Sequence, residues 1–227
     1  MNRPLTAIKR ATALQRHMPP RRKPRPGPGA WLVIMLKVPV AGRVKTRLAR
    51  GIGTAAATRF YRHAANTLIA RLARGTPWTT VLAIAPDHEL TSPAFPADMA
   101  RRPQGPGDLG DRLQRLFDTL PPGPAAIIGT DVPAITPRHI AEAFRALRSH
   151  DAVIGPSSDG GYWLIGLKRR PRRRRIFANV RWSSAHARTD TLGNLKDANV
   201  GVLAALDDID EAADYLAHRP RLGRFIP

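Results

Sequence analysis

Asp131 stands just beyond a run of small and branched apolar residues, Ala125–Ile128, and just before Thr136 and Pro137. The apolar run reads as a short buried strand. Gly129 and Thr130 break it, and Thr136 with Pro137 reads as a helix start, Thr136 as N-cap and Pro137 at the first helical position. The segment is therefore strand, carboxylate-bearing loop, helix. In an open α/β sheet ligands bind outside the carboxyl ends of the strands. A lone aspartate there is well sited to hold a divalent metal against a phosphate. A turn aspartate at a helix entry is the plainer alternative.

Four other stretches carry chemistry by type and spacing. KVPVAGRVKTRL, residues 37–48, places Lys37, Arg43, Lys45 and Arg47 within eleven residues, with Gly42 among them. Backbone amides at such a turn can line a phosphate site, and this density of cations would neutralise phosphate charge. The spacing is neither that of a P-loop nor that of a Rossmann fingerprint, and a solvated basic loop is the alternative. PQGPGDLGDRL, 103–113, could receive a base or ribose, with Asp108 and Arg112 as side-chain contacts; Asp108 also reads as a helix N-cap. Asp159-Gly160-Gly161 before Tyr162 is either a plain hairpin turn or a place where a substrate approaches the backbone closely. In DDID, 207–210, Asp208 or Asp210 either caps the last helix or joins Asp131 on Mg²⁺, a cation that prefers oxygen ligands. The seven histidines show no ligand spacing, and no GxSxG nucleophile elbow is present.

The elements that must position these residues follow from periodicity. WLVIML, 31–36, reads as a strand of a parallel sheet covered on both faces. Residues 37–53 read as loop, and 54–74 as a helix with Ala57, Phe60, Tyr61, Ala64, Leu68 and Leu72 inward and Gly75 as its stop. VLAIA, 81–85, is a second strand, with a short one near Met99. Leu109, Leu113, Leu116 and Leu120 line one helix face. A helix runs on to about Ser149. Strands follow at 152–156 and at YWLIGL, then a helix after Ser184, a strand over 200–206 and a last helix in DDIDEAADYLAH. This alternation predicts an α/β fold: one three-layer α/β/α domain over residues 30–227 with a mainly parallel, mixed sheet.

Composition narrows the partners. The 227-residue chain has 37 Lys and Arg against 17 Asp and Glu, a formal charge of +20. Eight of the basic residues lie in residues 1–29, which carry no acid, and seven lie in KRRPRRRR, 168–175. The excess is local rather than a property of the whole fold. Residues 1–29, rich in Pro and Arg, are expected to be a disordered basic extension. Both runs read as solvated or as attracting polyanions without sequence specificity; with few aromatics beside them, no specific nucleic-acid partner is expected. There is no cysteine and no apolar run near the roughly 20 residues that span a bilayer. That fits a reducing, cytoplasmic setting, and a cysteine-free periplasmic protein would look the same.

Taken in order, KxPxxGxVKTRL, PQGxGDLGxRL, GTDxPxxTP, GPxxDGGYWLIGL and W-Ser followed by a late DxD resemble the radical-SAM/selenodomain-associated transferase family. These are glycosyltransferase A-like proteins of the nucleotide-diphospho-sugar transferase fold. The chain is also similar in plan to 2-phospholactate guanylyltransferase. The resemblance covers residues 31 to about 217. It implies a transferase that uses a nucleotide-sugar donor with Mg²⁺ or Mn²⁺; nucleotidyl transfer from a triphosphate to a small phosphorylated or carboxylated acceptor is the alternative. A non-catalytic nucleotide- or nucleic-acid-binding protein is a third reading. By the resemblance, Lys45 and Arg47, with Lys37, bind phosphate. Gln104, Gly107, Asp108 and Arg112 face base and ribose, and Asp131 with Asp208 or Asp210 holds the metal. Asp159, Gly160, Gly161 and Tyr162 line the acceptor side with Trp182 nearby. Lys45, Arg47 and Asp131 are the expected catalytic residues. The basic run at 168–175 departs from the family pattern.

Overall fold

β1 (Trp31–Lys37) is buried over Leu32, Val33, Ile34 and Leu36 because it lies inside a seven-stranded sheet. The computed structural model describes residues 29–170 and 175–218. After β1 come α1 (Thr46–Ile52), α2 (Thr54–Ala73), β2 (Thr79–Ala85), β3 (Ala100–Pro103), α3 (Leu109–Thr119) and β4 (Ala125–Ile128). The chain continues through α4 (Pro137–Ala146), β5 (Ala152–Pro156), β6 (Tyr162–Leu167), α5 (Ala187–Gly193), β7 (Val200–Val202) and α6 (Ala212–His218). The strand order is β3-β2-β1-β4-β6-β5-β7. Only β6 is antiparallel to its neighbours, β4 and β5; the other pairings are parallel. The predicted mixed, mainly parallel α/β sheet is thus present.

Side chains alternate between the two faces of each strand, which makes three layers. Leu32, Ile34, Leu82 and Ile84 pack with Leu68 and Leu72 of α2 and Ile140 of α4. Val33, Val81, Ala83 and Ile127 pack on the other face with Leu113, Leu116 and Phe117 of α3. Between β1 and β4 the chain order reverses: β2 and β3 lie to one side of β1, and β4 to the other. That crevice is the topological switch point, where ligands of open α/β sheets bind.

Three expectations change. Residues 37–53 are not all loop, since α1 forms over Thr46–Ile52. Its Leu48 is fully buried, and its Gly51 lies against the Ala212 side chain of α6, where a Cβ would collide. Tertiary packing thus makes a helix where the glycine at 51 argues against one. The strand predicted over 200–206 pairs regularly only at 200–202; beyond it, Leu203 and Leu206 donate single bonds to Ile154 and Pro156. The last helix starts at Ala212, because the preceding segment is held extended: Ile209 N–H donates to the Asp131 carbonyl at 2.9 Å.

The expected starts of α3 and α4 are present. Asp108 and Asp111 cap α3 reciprocally, and Pro137 opens α4 after Thr136. Part of the basic run has an internal task. Arg169 is buried and donates to the carbonyls of Leu120, Pro121 and Gly123, satisfying the connection between α3 and β4. Residues 171–174 and residues 1–28 of the expected 1–29 extension lie outside the described residues.

Candidate active site

Lys45 is the N-cap of α1 and has left-handed backbone angles, φ 48° and ψ 45°. Few non-glycine residues adopt this conformation, and those that do cluster at functional sites. It turns the lysine inward, where its side chain is only 5 % exposed. The ammonium donates to Asp131 Oδ1 at 2.5 Å, Asp210 Oδ1 at 2.6 Å and the Ile209 carbonyl at 2.8 Å. Burial works against its charge, but the two carboxylates outweigh that and hold its pKa above the ordinary lysine value.

Each partner is placed by a different element. Asp131 follows β4 at the switch point. Asp210 is brought 79 residues further along the chain by Ile209, whose side chain is buried among Leu48, Ala57, Phe60 and Ala64. Tyr61 of α2 holds the other wall: its hydroxyl donates to the Lys37 carbonyl and accepts from the Lys37 N–H. Burial foremost pushes the Tyr61 phenol up, so it stays a neutral clamp.

These groups floor a cleft of about 670 Å³. Of the residues expected to bind nucleotide or metal, Lys37, Lys45, Arg47, Gln104, Gly107, Asp108, Arg112, Asp131 and Asp210 all reach it. Arg43 reaches it too, and Tyr162 is the one acceptor-side residue that does. Gln104 differs from expectation in how it serves. Its amide nitrogen donates to the Leu36 and Ala83 carbonyls, which ties the Gly-rich loop to the ends of β1 and β2. Arg112 Nε donates to the Gly107 carbonyl and shapes the same loop.

Gly42, Asp159, Gly160, Gly161, Trp182 and Asp208 do not line the cleft. Gly42, at φ +77°, serves the turn in which Arg43 N–H reaches the Val40 carbonyl. Asp159 accepts from Gly161 N–H and closes the hairpin between β5 and β6. Gly160, at φ +85°, is covered by the Ala185 backbone, with the Ala185 Cα 2.6 Å from where a Cβ would lie. Its lack of a side chain is required by this packing. Trp182 packs with Phe177 and Tyr162. Asp208 is not among the lysine's ion-pair partners, although it feels its charge, and its carboxyl is pushed up to about 6, first by burial and then by the charges of Asp210 and Asp159.

One consequence is a stability prediction. Gly160→Ala should cost about 2–4 kcal/mol, since it combines a positive φ with a backbone collision. Urea unfolding measures this. A loss below about 0.5 kcal/mol, the range of an ordinary surface substitution, would show that the 183–186 loop yields freely.

Asp131 and Asp210 can also be tested as cation ligands. Both carboxylates already converge on one positive centre, and their side chains are 52 % and 37 % exposed toward the cleft. Among the described residues no third His, Cys, Asp or Glu joins them as a metal-binding group. Two carboxylates suit Mg²⁺, which commonly takes one or two and completes its shell with water and substrate phosphate. The donor set fits such a cation, with the Lys45 ammonium now in the place between its ligands.

Residues 68–184 match the family described as "Uncharacterized protein conserved in bacteria (DUF2064)". No curated protein matches the sequence. Among solved structures, a proposed nucleotide-diphospho-sugar transferase from Desulfovibrio desulfuricans G20 superposes with a TM-score of 0.72 at 23 % identity, over 87 % of this chain and 98 % of that one. A CMP:2-keto-3-deoxy-manno-octonic acid synthetase bound to CTP gives 0.52 at 12 % identity, over 86 % and 99 %. A 4-diphosphocytidyl-2C-methyl-D-erythritol synthase from Anaerococcus prevotii DSM 20548 gives 0.52 at 10 %, over 86 % and 99 %. At these identities the likeness is one of fold: the α/β architecture is that of nucleotide-diphospho-sugar transferases and nucleotidyltransferases. Among the described residues no helix is long and apolar enough to cross a membrane.

Proposed function

The chain belongs to the DUF2064 family of bacterial proteins, and from that membership, the fold and the cleft we propose that it is a cation-dependent transferase using a nucleotide donor. The reading rests on one observation: two carboxylates from distant parts of the chain meet one buried lysine at the switch point, in a cleft also reached by Lys37, Arg43, Arg47 and Arg112. Such a cation-rich floor suits polyphosphate. The resemblance to radical-SAM/selenodomain-associated transferases and to 2-phospholactate guanylyltransferase supports the same class.

In this reading Asp131 and Asp210 hold Mg²⁺ or Mn²⁺, and Lys37, Arg43 and Arg47 orient the donor phosphates. The loop from Gln104 to Arg112 receives the nucleoside. The bound cation would supply Lewis-acid stabilisation of charge on the phosphates. The arginines add fixed positive charge where the leaving group develops negative charge. Tyr162 lies on the side left for the acceptor.

Two chemistries share this cradle. Transfer of a sugar breaks the bond between its anomeric carbon and the phosphate, and releases a nucleoside diphosphate. Transfer of a nucleotidyl group joins the acceptor oxygen to the α-phosphorus and releases pyrophosphate. The likeness to a proposed sugar transferase favours the first. The charge of the cleft favours the second: five basic side chains, Lys45 included, line it against Asp108, Asp131 and Asp210, and with a bound cation the surplus would suit a triphosphate.

A thermal-shift screen of nucleoside triphosphates and nucleotide sugars with Mg²⁺ and Mn²⁺ tests the reading. A cation-dependent rise in melting temperature with one donor class is expected. Product analysis for nucleoside diphosphate or pyrophosphate then separates the chemistries. No shift with any nucleotide would overturn the reading. A cation-independent shift without turnover would point to a non-catalytic nucleotide-binding protein.

A further inference from the structure

A lysine ammonium has three N–H donors, and here all three are used. They go to Asp131 Oδ1, Asp210 Oδ1 and the Ile209 carbonyl. Lys45 therefore cannot donate to a donor phosphate in this arrangement without giving up a partner. A second positive centre on the same two carboxylate oxygens would lie close to the ammonium, which sits within 2.6 Å of both. Two like charges at that range repel strongly in a site this sheltered.

From this geometry we propose that Lys45 is an internal stand-in for the divalent cation: it holds Asp131 and Asp210 together until a donor phosphate draws it away. The inference rests on the reading of the cleft as a cation-assisted nucleotide site, and it adds an order of events. Without a donor, Lys45 and the cation compete for one carboxylate pair, and the free protein binds the cation weakly. A phosphate gives the ammonium a better-placed anionic partner. Its four-carbon stem is flexible enough to swing while α1 stays packed through Leu48. Asp131 and Asp210 are then released to the cation that the donor brings. Cation and donor binding become mutually reinforcing, because each removes the other's competitor.

The arrangement also accounts for the burial of a charged lysine at the floor of an open cleft. Two neighbouring carboxylates with no counter-ion would repel each other and push the 207–210 segment off β4. With Lys45 between them, the site stays assembled before substrate arrives. Such preorganisation lowers the ordering cost of binding.

The test is Mn²⁺ binding to nucleotide-free protein, followed by the electron paramagnetic resonance signal of free Mn²⁺, in wild type and in Lys45→Met. The variant removes the competing ammonium and keeps an unbranched, flexible stem of nearly the same length. It is expected to bind Mn²⁺ about tenfold more tightly or better, the scale of one lost charge-assisted hydrogen bond in the competing state. Mn²⁺ alone should raise the melting temperature of Lys45→Met and scarcely change that of wild type. The double variant Lys45→Met, Asp131→Asn should lose both effects. If Lys45→Met is unfolded without metal, recovery of its circular-dichroism spectrum on adding Mn²⁺ is the supporting result, and no recovery is the opposing one. Equal or weaker Mn²⁺ affinity in Lys45→Met overturns the stand-in role. The transferase reading survives that result if wild type with nucleotide still binds Mn²⁺ through Asp131. Absence of Asp131-dependent Mn²⁺ binding in every state overturns both.

Discussion

Asp131→Asn is expected to leave the protein folded and to weaken cation-dependent donor binding by about a hundredfold or more, or roughly 3 kcal/mol. The substitution keeps shape and removes charge. Asp131 is half exposed, so little packing is lost. Its main chain keeps the bond from Ile209 N–H, and Lys45 keeps Asp210 and the Ile209 carbonyl. What disappears is one of two anionic ligands for a hard cation, and a neutral amide oxygen is a much poorer substitute. Titration calorimetry with the donor found by screening, with and without Mg²⁺, measures the effect. Unchanged cation-dependent affinity would remove Asp131 from the site. A collapse of thermal stability would assign it a structural role instead.

Ile209→Ala is expected to lower stability by about 2–5 kcal/mol, as large-to-small changes in a core do. In a chain of this size that corresponds to a melting temperature lower by roughly 5–15 °C. Ile209 is 1 % exposed and anchors its segment in a satellite core of α1 and α2 residues. Its carbonyl receives Lys45, and its N–H binds Asp131. Loosening this anchor should also weaken donor binding, although every charged side chain in the cleft is intact. Leu68→Ala is the control: Leu68 is equally buried, but its contacts lie in the larger core under the sheet. The two variants should lose similar stability, and only Ile209→Ala should lose donor affinity at temperatures where both are folded. Equal affinities would show that Asp210 is placed without help from Ile209.

Much of the fold is legible in the sequence because its signals are local. Apolar runs at 31–36 and 125–128 are buried strands, and the leucines at 113 and 116 face inward as their spacing predicts. Asp108 caps α3 as its position before the helix suggests. α1 is not legible locally because it is short and carries Gly51 in its last turn; the close fit of Gly51 to α6 overrides that. Tyr61 was legible as an inward helix residue and not as a clamp on Lys37. Its one signal was a hydroxyl on an otherwise apolar face, and periodicity does not weigh it.

Part of the site followed from the sequence by itself. Asp131 at a strand end, the basic loop and the glycine-rich loop were visible as separate pieces, because each sits where one element passes into the next. Their meeting was decided by tertiary structure. Lys45 turns inward through a left-handed backbone, and Ile209 fastens the Asp210 segment beside β4 from 79 residues away. The same packing separated residues that looked alike in the sequence: Asp210 pairs with the lysine and Asp208 does not, and Gly160 fits closely against the Ala185 backbone. Sequence patterns report what a residue can do within its own element. Which charge finally faces which depends on long-range packing, and no local pattern encodes that.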